Sequence, residues 1–329
     1  MREITLSGPS RRTVLLGTAA HAVCLPFVSL NAAKADAPML GVQRPTIYRF
    51  KLGNFEITNI LDGFVVRPDP HKIFGQDQEK ELVEAFAREH QLPASKLENS
   101  YTVTLVNTGR ELILFDTGNG EPRRSATQGL LLQRLSEAGY SPDQIDIVVI
   151  THGHPDHIGG LMESGKPSFP NARYVFGVTE FDYWNAGKDI PERRQKNREL
   201  FMRVAAPLAQ KASMIAPGQS VVSGIEAVDA FGHSPGMLAF HIESEGKRLL
   251  LWADVTNHFV LSLMKPEWHV LFDHDKAKAV ATRKRILDSV ATDGIPAIGY
   301  HMPFPAVGFV ERSGDSFRWV PASYQLNDL

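Results

Sequence analysis

Cysteine is nearly missing from this chain. The 329 residues include one, Cys24, so a disulfide framework is excluded. Cys24 lies in an N-terminal stretch expected to be removed, which leaves the remaining chain with no thiolate metal ligand and no cysteine nucleophile. A metal site here must therefore use nitrogen and oxygen. An excess of charge of either sign is also missing, since 35 Lys and Arg face 37 Asp and Glu for a formal net charge of -2. No long-range attraction for a polyanion follows, so nucleic acid is not an expected partner and a small neutral substrate is. Low-complexity tracts, repeats and long Pro/Gly/Ser linkers are missing from Arg44 onward, and one domain is expected. The 43% hydrophobic and 22% charged composition is that of a globular protein with a sizeable core.

What is present begins with an export pattern. Ser10-Arg11-Arg12-Thr13-Val14-Leu15-Leu16 is a twin-arginine-like element leading into an apolar stretch that reaches Leu30. Ala33-Lys34-Ala35 and Ala35-Asp36-Ala37 both fit small-x-small cleavage, and the first is preferred because the second would leave Pro38 at the new terminus. The expected organisation is a signal peptide over 1-35 and a hydrolase domain over 36-329, with a periplasmic or secreted product. A retained membrane anchor is the alternative, weakened by His21 and Pro26 within a run barely long enough to span. Cleavage would remove four basic residues and one acidic one, leaving 31 against 36 and a net charge of -5. No stable membrane association is expected after cleavage, and a homodimer is open.

Alternating or continuous β-branched and apolar runs predict strands at 55-60, 101-106, 111-115, 145-150, 173-176, 225-228, 237-242 and 248-252. Leu130, Leu131 and Leu135 before Gly139 predict a helix, as do Val280, Ile286, Leu287 and Val290 between Asp275 and Gly294. Strands with polar residues at their C-terminal ends, separated by helices, suggest a layered α/β architecture with the site at one edge of the sheets.

The most informative segment is Ile147-Val148-Val149-Ile150-Thr151-His152-Gly153-His154-Pro155-Asp156-His157. A buried strand delivers three histidines and an aspartate within six residues, for which folding alone gives little reason. Imidazole nitrogen and carboxylate oxygen suit zinc and neighbouring first-row metals, and residues two apart at a strand end can face one centre while the following turn serves another. Phe115-Asp116-Thr117-Gly118 precedes it. Phe231-Gly232-His233-Ser234-Pro235-Gly236, Leu251-Trp252-Ala253-Asp254 and Gly299-Tyr300-His301 follow. Taken singly these are weak: the glycine-flanked histidine fits a turn, Asp254 a helix cap and His301 a core histidine.

In this order, however, the motifs resemble the signature of the metallo-β-lactamase superfamily, from about Tyr48 to the C-terminus. The resemblance implies a single-domain, four-layered αββα sandwich. It further implies two Zn2+, or other divalent first-row metals, one held by His152, His154 and His233 and the other by Asp156, His157 and His301. Asp254 would bridge them, and Asp116 would orient a ligand histidine by accepting its N-H. Two such metals roughly 3.5-4 Å apart share a water and lower its pKa toward about 7, making hydroxide the nucleophile. Asp156 is expected to orient that water or pass a proton to the leaving group.

A bridging aspartate characterises the lactonase, thioesterase and phosphoesterase branches and disfavours β-lactam hydrolysis. Within these, the sequence is similar to the methyl parathion hydrolase branch and its lactone- and ester-cleaving relatives, through Asn54-Phe55-Glu56-Ile57-Thr58, Leu105-Val106-Asn107-Thr108-Gly109, His157-Ile158-Gly159-Gly160-Leu161-Met162 and the tail Phe317-Arg318-Trp319-Val320-Pro321. It departs at Asn119-Gly120-Glu121-Pro122-Arg123-Arg124 and at His258-Phe259, which puts organophosphate turnover in doubt. The expected activity is hydrolysis of a lactone or carboxylic ester, such as acyl homoserine or aryl lactones. An organophosphate triesterase is the alternative, and a non-catalytic metal-binding envelope protein the third reading. Trp184, Phe201 and His258 are tentative pocket residues, with Phe181 and Trp184 alternatively core. Arg123 and Arg124 either receive an anionic product or are simply solvated. His71, His90, His241, His269 and His274 are expected to be structural or exposed.

Overall fold

A computed structural model describes residues 37-329, so the expected signal peptide and both cleavage sites lie outside or at the margin of the described residues. From Arg44 to the C-terminus the chain is one compact unit. Among the described residues no helix is long and apolar enough to cross a membrane.

Two seven-stranded sheets carry the fold. The first contains β1 (Ile47–Leu52), β2 (Phe55–Pro68), β3 (Lys96–Asn107), β4 (Leu112–Phe115), β5 (Ile147–Ile150), β8 (Arg173–Gly177) and β9 (Ala212–Ile215), side by side in that order. Its first four strands are antiparallel, and β4, β5, β8 and β9 are parallel. A two-stranded hairpin of β6 (Met162–Glu163) and β7 (Lys166–Pro167) interrupts the run between β5 and β8. The second sheet contains β10 (Ser220–Val222), β11 (Ile225–Asp229), β12 (Leu238–Ser244), β13 (Lys247–Leu251), β14 (Ala297–Ile298), β15 (Val307–Ser313) and β16 (Ser316–Pro321), again in chain order. Only β13 and β14 pair in parallel.

The strand period of two explains the layering. On β5, Ile147 and Val149 enter the core between the sheets, where they meet Phe240, Ile242 and Leu249 of β12 and β13. Val148 and Ile150 point the other way, to a core shared with Leu131, Phe181, Trp184 and Phe201. Those residues come from α2 (Leu131–Glu137), α4 (Val178–Ala186) and α5 (Gln195–Val204). The second sheet's outer face packs on Ile286, Leu287 and Val290 of α6 (Lys276–Asp293). Helices therefore cover both outer faces, giving the expected αββα order. A strand buried on both faces must be apolar at every position, which is why β5 reads as an unbroken run. The remaining helices are α1 (Lys80–Glu89) and the single turn α3 (Pro155–Ile158).

Strand positions agree with those expected, with longer outer arms: β2 and β3 extend to 14 and 12 residues. The Asp275 side chain caps α6 by accepting from the Lys278 N-H at 3.0 Å, and Gly294 ends it in the left-handed conformation.

Candidate metal centre

Five strand ends converge at one edge of the sandwich. β4 ends before Asp116, β5 before His152, β11 before His233, β13 before Asp254 and β14 before His301. Asp116 and Ala253 are held at φ values of 65° and 51°. A non-glycine residue in this region costs on the order of 1 kcal/mol or more, and such positions cluster where a side chain must be aimed.

Seven expected site residues meet in three overlapping groups: His152, His154 and His233; His152, His157 and Asp254; and Asp156, His157 and His301. Ligand atoms within each group lie within 4.8 Å of one another. His154 Nδ1 is 2.9 Å from both His152 Nε2 and His233 Nε2. Asp254 Oδ2 is 3.0 Å from His301 Nε2 and 3.2 Å from His233 Nε2, while its Oδ1 is 3.2 Å from His157 Nε2. Asp254 thus stands between the two histidine sets. Asp156 approaches only the second set, at 3.5 Å from His301 and 3.8 Å from His157.

The outer ring nitrogens of four of the five histidines are engaged, which fixes their inner ones. His157 Nδ1 donates to Asp116 at 2.8 Å and His233 Nδ1 to Asp273 at 2.9 Å. His301 Nδ1 donates to the Ser100 carbonyl at 2.7 Å, and His152 Nδ1 lies 3.1 Å from the Thr151 hydroxyl. A neutral imidazole that donates outward offers a lone pair inward. Several such lone pairs facing one another at contact distance need positive charge between them, and His157 Nε2 and Asp254 Oδ1 are buried without any hydrogen-bond partner. The donor set fits divalent cations.

The electrostatics agree. Burial, reinforced by neighbouring histidines, holds His152 well below its ordinary pKa, and burial with nearby Arg194 does the same for His154. At His157 burial acts downward, but Asp254 and Asp116 outweigh it and raise the ring well above its usual value. Burial would raise Asp254, yet His301 and His157 hold it well below the carboxylate range. Burial thus favours neutral rings at His152 and His154, while the carboxylates favour positive charge beside His157.

Three buried acids organise the surroundings, and none stood out in the sequence. Glu180, on α4, accepts from Gly153 N at 2.8 Å, Gly236 N at 2.8 Å and Trp184 Nε1 at 2.6 Å, and from the Ser234 hydroxyl. It therefore holds the turns bearing His154 and His233 together. A Cβ on Gly153 would stand 2.4 Å from Trp184 Nε1, and one on Gly236 would stand 2.2 Å from Glu180 N, so both motifs need glycine. Asp273 takes the His233 N-H on one oxygen and Arg283 at 2.7 Å on the other. Asp62 collects the backbone N-H groups of Asn119, Gly129 and Leu131. The available signals were an acid among the apolar positions of α4 and the Phe272-Asp273-His274-Asp275 run beside no motif.

A cavity of about 330 Å³ opens over the cluster and reaches His154, Asp156, His233, Asp254 and His301. The three tentative pocket residues do not line it. Phe201 is fully buried in the helix-side core, and Trp184, 1% exposed, supports the histidine turn from behind with its ring 6.2 Å from that of His154. His258 is buried, and its Nδ1 accepts from the Val260 and Leu261 N-H groups at 3.1 Å, capping a turn. Arg124 is held by Glu163 at 2.6 and 2.7 Å, whereas Arg123 does line the cavity. None of His71, His90, His241, His269 or His274 lines it.

The family described as Metallo-beta-lactamase superfamily matches residues 98-292. Among solved structures, the chain is similar to AidC, a dizinc quorum-quenching lactonase in complex with a homoserine product, with a TM-score of 0.80 and 27% identity over 85% of this chain and 98% of that one. It is similar to the hydrolase AbOPH of the beta lactamase superfamily, with a TM-score of 0.80 and 27% identity over 86% and 99%. An N-acyl homoserine lactonase of Bacillus thuringiensis is 26% identical over 159 residues, 43% of this chain and 57% of that protein. The chain spans from about a fifth to under three fifths of the curated relatives named first by similarity.

Proposed function

This chain belongs to the metallo-beta-lactamase superfamily, and from that premise we propose that it is a metal-dependent hydrolase of lactones or carboxylic esters. The observation that carries the reading is the meeting of five histidines and two aspartates in two sets that share Asp254. On this reading His152, His154 and His233 would hold one ion, Asp156, His157 and His301 the other, and Asp254 would serve both. Two zinc ions bound there would supply Lewis acidity and a water acid enough to attack near neutral pH.

The chain's own residues do the rest. Asp116, Asp273 and the Ser100 carbonyl fix the tautomers of three histidines by taking their outer protons. Asp156, partly exposed to the cavity, is placed to hold or pass a proton toward a leaving alcohol. Net hydrolysis consumes one water, breaks the acyl C-O bond and releases an acid and an alcohol. Similarity to AidC, whose substrate chemistry is that of a lactone, supports an acyl substrate.

A phosphotriesterase is the second reading, supported by the likeness of Asn54-Phe55-Glu56-Ile57-Thr58 and of the tail to the methyl parathion hydrolase branch. The same ligands would serve it. Export followed by cleavage after Ala35 also remains part of the proposal and is checked by N-terminal sequencing of the mature protein.

The deciding measurement is metal content together with turnover of an aryl ester, a lactone and a phosphotriester. About two metals per chain with chelator-sensitive ester or lactone turnover supports the first reading, and dominant triester turnover the second. Bound metal with no turnover on any of them would favour a metal-retaining binding protein.

A further inference from the structure

The cavity over the histidines also has a basic lining. Arg67, Arg123, Arg193 and Arg194 all line it. Other arginines nearby have acidic partners, Arg124 with Glu163 and Arg283 with Asp273, but among the described residues these four have none. Arg194 is only 7% exposed, and its Nε is buried without a partner while Nη2 donates to the Phe272 carbonyl. Arg67 repeats the pattern: its Nε is buried and unpartnered, and its guanidinium lies 5.7 Å from the Phe272 ring centroid. Arg193 donates to the Leu271 and Asp273 carbonyls at 3.1 and 3.4 Å, a backbone anchorage that leaves its charge uncompensated.

Burying a guanidinium without an anion is unfavourable, and burial followed by repulsion from Arg193 lowers Arg194 to about 10. A fold gains nothing by leaving buried Arg194 and half-buried Arg67 without an anion beside the exposed Arg123 and Arg193 in one cavity. A ligand does, because the planar guanidinium fork matches the two oxygens of a carboxylate or a phosphate.

We propose that Arg67, Arg123, Arg193 and Arg194 receive a fixed anionic group of the substrate, a carboxylate or a phosphate distinct from the bond that is cleaved. The substrate is then an anionic ester or lactone rather than a neutral one. This deepens, and rests on, the hydrolase reading above. It also gives a reason for the polar Asn99 and Asn197 in a wall where a neutral acyl chain would call for apolar side chains.

The test uses the metal-loaded protein and two readouts. In the first, kcat/KM is compared for phenyl butyrate and the monophenyl ester of glutaric acid, which differ in one terminal carboxylate. An aryl ester bearing a terminal phosphonate forms the third arm. Preference for an anionic ester by tenfold or more is expected, falling toward one in Arg194→Met and in Arg67→Met, the latter at a half-buried position where folding is less at stake. The second readout is calorimetric binding of glutarate and of inorganic phosphate, compared between wild type and variants at equal metal content so that direct binding to the metals cancels. Tenfold weaker binding in the variants is expected, and the tighter of the two anions names the group. Neutral esters turned over as well as anionic ones, with anion binding unchanged in both variants, would overturn the inference. Should no ester or lactone be cleaved while anion binding still falls in the variants, the hydrolase reading fails and the anion site stands.

Discussion

Replacing Glu180 with Gln tests whether one buried side chain positions both histidine turns. The carboxylate accepts four hydrogen bonds, from Gly153 N, Trp184 Nε1, Ser234 Oγ and Gly236 N. It is 2% exposed, so water cannot replace it. Glutamine keeps the size and shape but must turn its NH2 toward Gly236 on one side or toward the other three donors on the other. Either orientation sets a donor against a donor, and a buried donor left unsatisfied costs about 1-3 kcal/mol, more when its former partner was charged. A loss of about 2-4 kcal/mol is expected, which at about 2 °C per kcal/mol for a chain of this size lowers the Tm by about 4-8 °C. Because the turns carry His154 and His233, metal affinity measured against a competing chelator should also fall, by about 10-100-fold. A Glu180→Gln protein that melts within about a degree of wild type and holds its metal as tightly would refute the reasoning.

Asp156→Ala should lose most turnover, about a hundredfold or more in kcat at matched metal content; near-native turnover with full occupancy would remove Asp156 from the chemistry. Arg283→Met leaves Asp273 buried and uncompensated, and should lower stability by about 3-5 kcal/mol in urea unfolding, since Arg283 also ties the Val255, Pro266 and Trp268 carbonyls to α6. His258, which must stay neutral to accept two backbone N-H groups, is pushed down by burial to about 4. Its folded pKa lies below the unfolded one, so its contribution is complete above about pH 6.5 and is lost as pH falls toward 4. Between pH 7 and pH 5 wild type should lose about 2 kcal/mol more stability than His258→Asn; parallel losses would show that the ring is not buried in its neutral form.

The fold was legible where physics acts locally. β5 announced itself because a strand covered on both faces must be apolar throughout, and α6 because Asp275 and Gly294 mark its ends. The outer arms of β2 and β3 were not, since Gly63 and Arg67 break the alternation there and pairing with the partner strand supplies what propensity does not. The seven converging residues were visible through their spacing and order. Glu180, Asp62 and Asp273 were not, because an acid whose donors lie on distant turns leaves no mark on its neighbours. The cavity lining was legible only in part. Trp184 and Phe201, pocket or core on the sequence alone, fill the core behind the site, while Arg67 reaches the cavity from the far arm of β2.

The convergence of strand ends from both sheets has a mechanical consequence. His152, His154, Asp156 and His157 follow the first sheet, and His233, Asp254 and His301 follow the second. On the proposed ligation, ions shared by these residues staple the two halves of the sandwich across loops of many tens of residues, as cross-links do in other proteins. With its single cysteine confined to the N-terminal stretch, the chain has no covalent means to the same end. Binding energy released at the edge thereby becomes cohesion between the sheets, and a chelator should loosen the whole molecule as well as silence it.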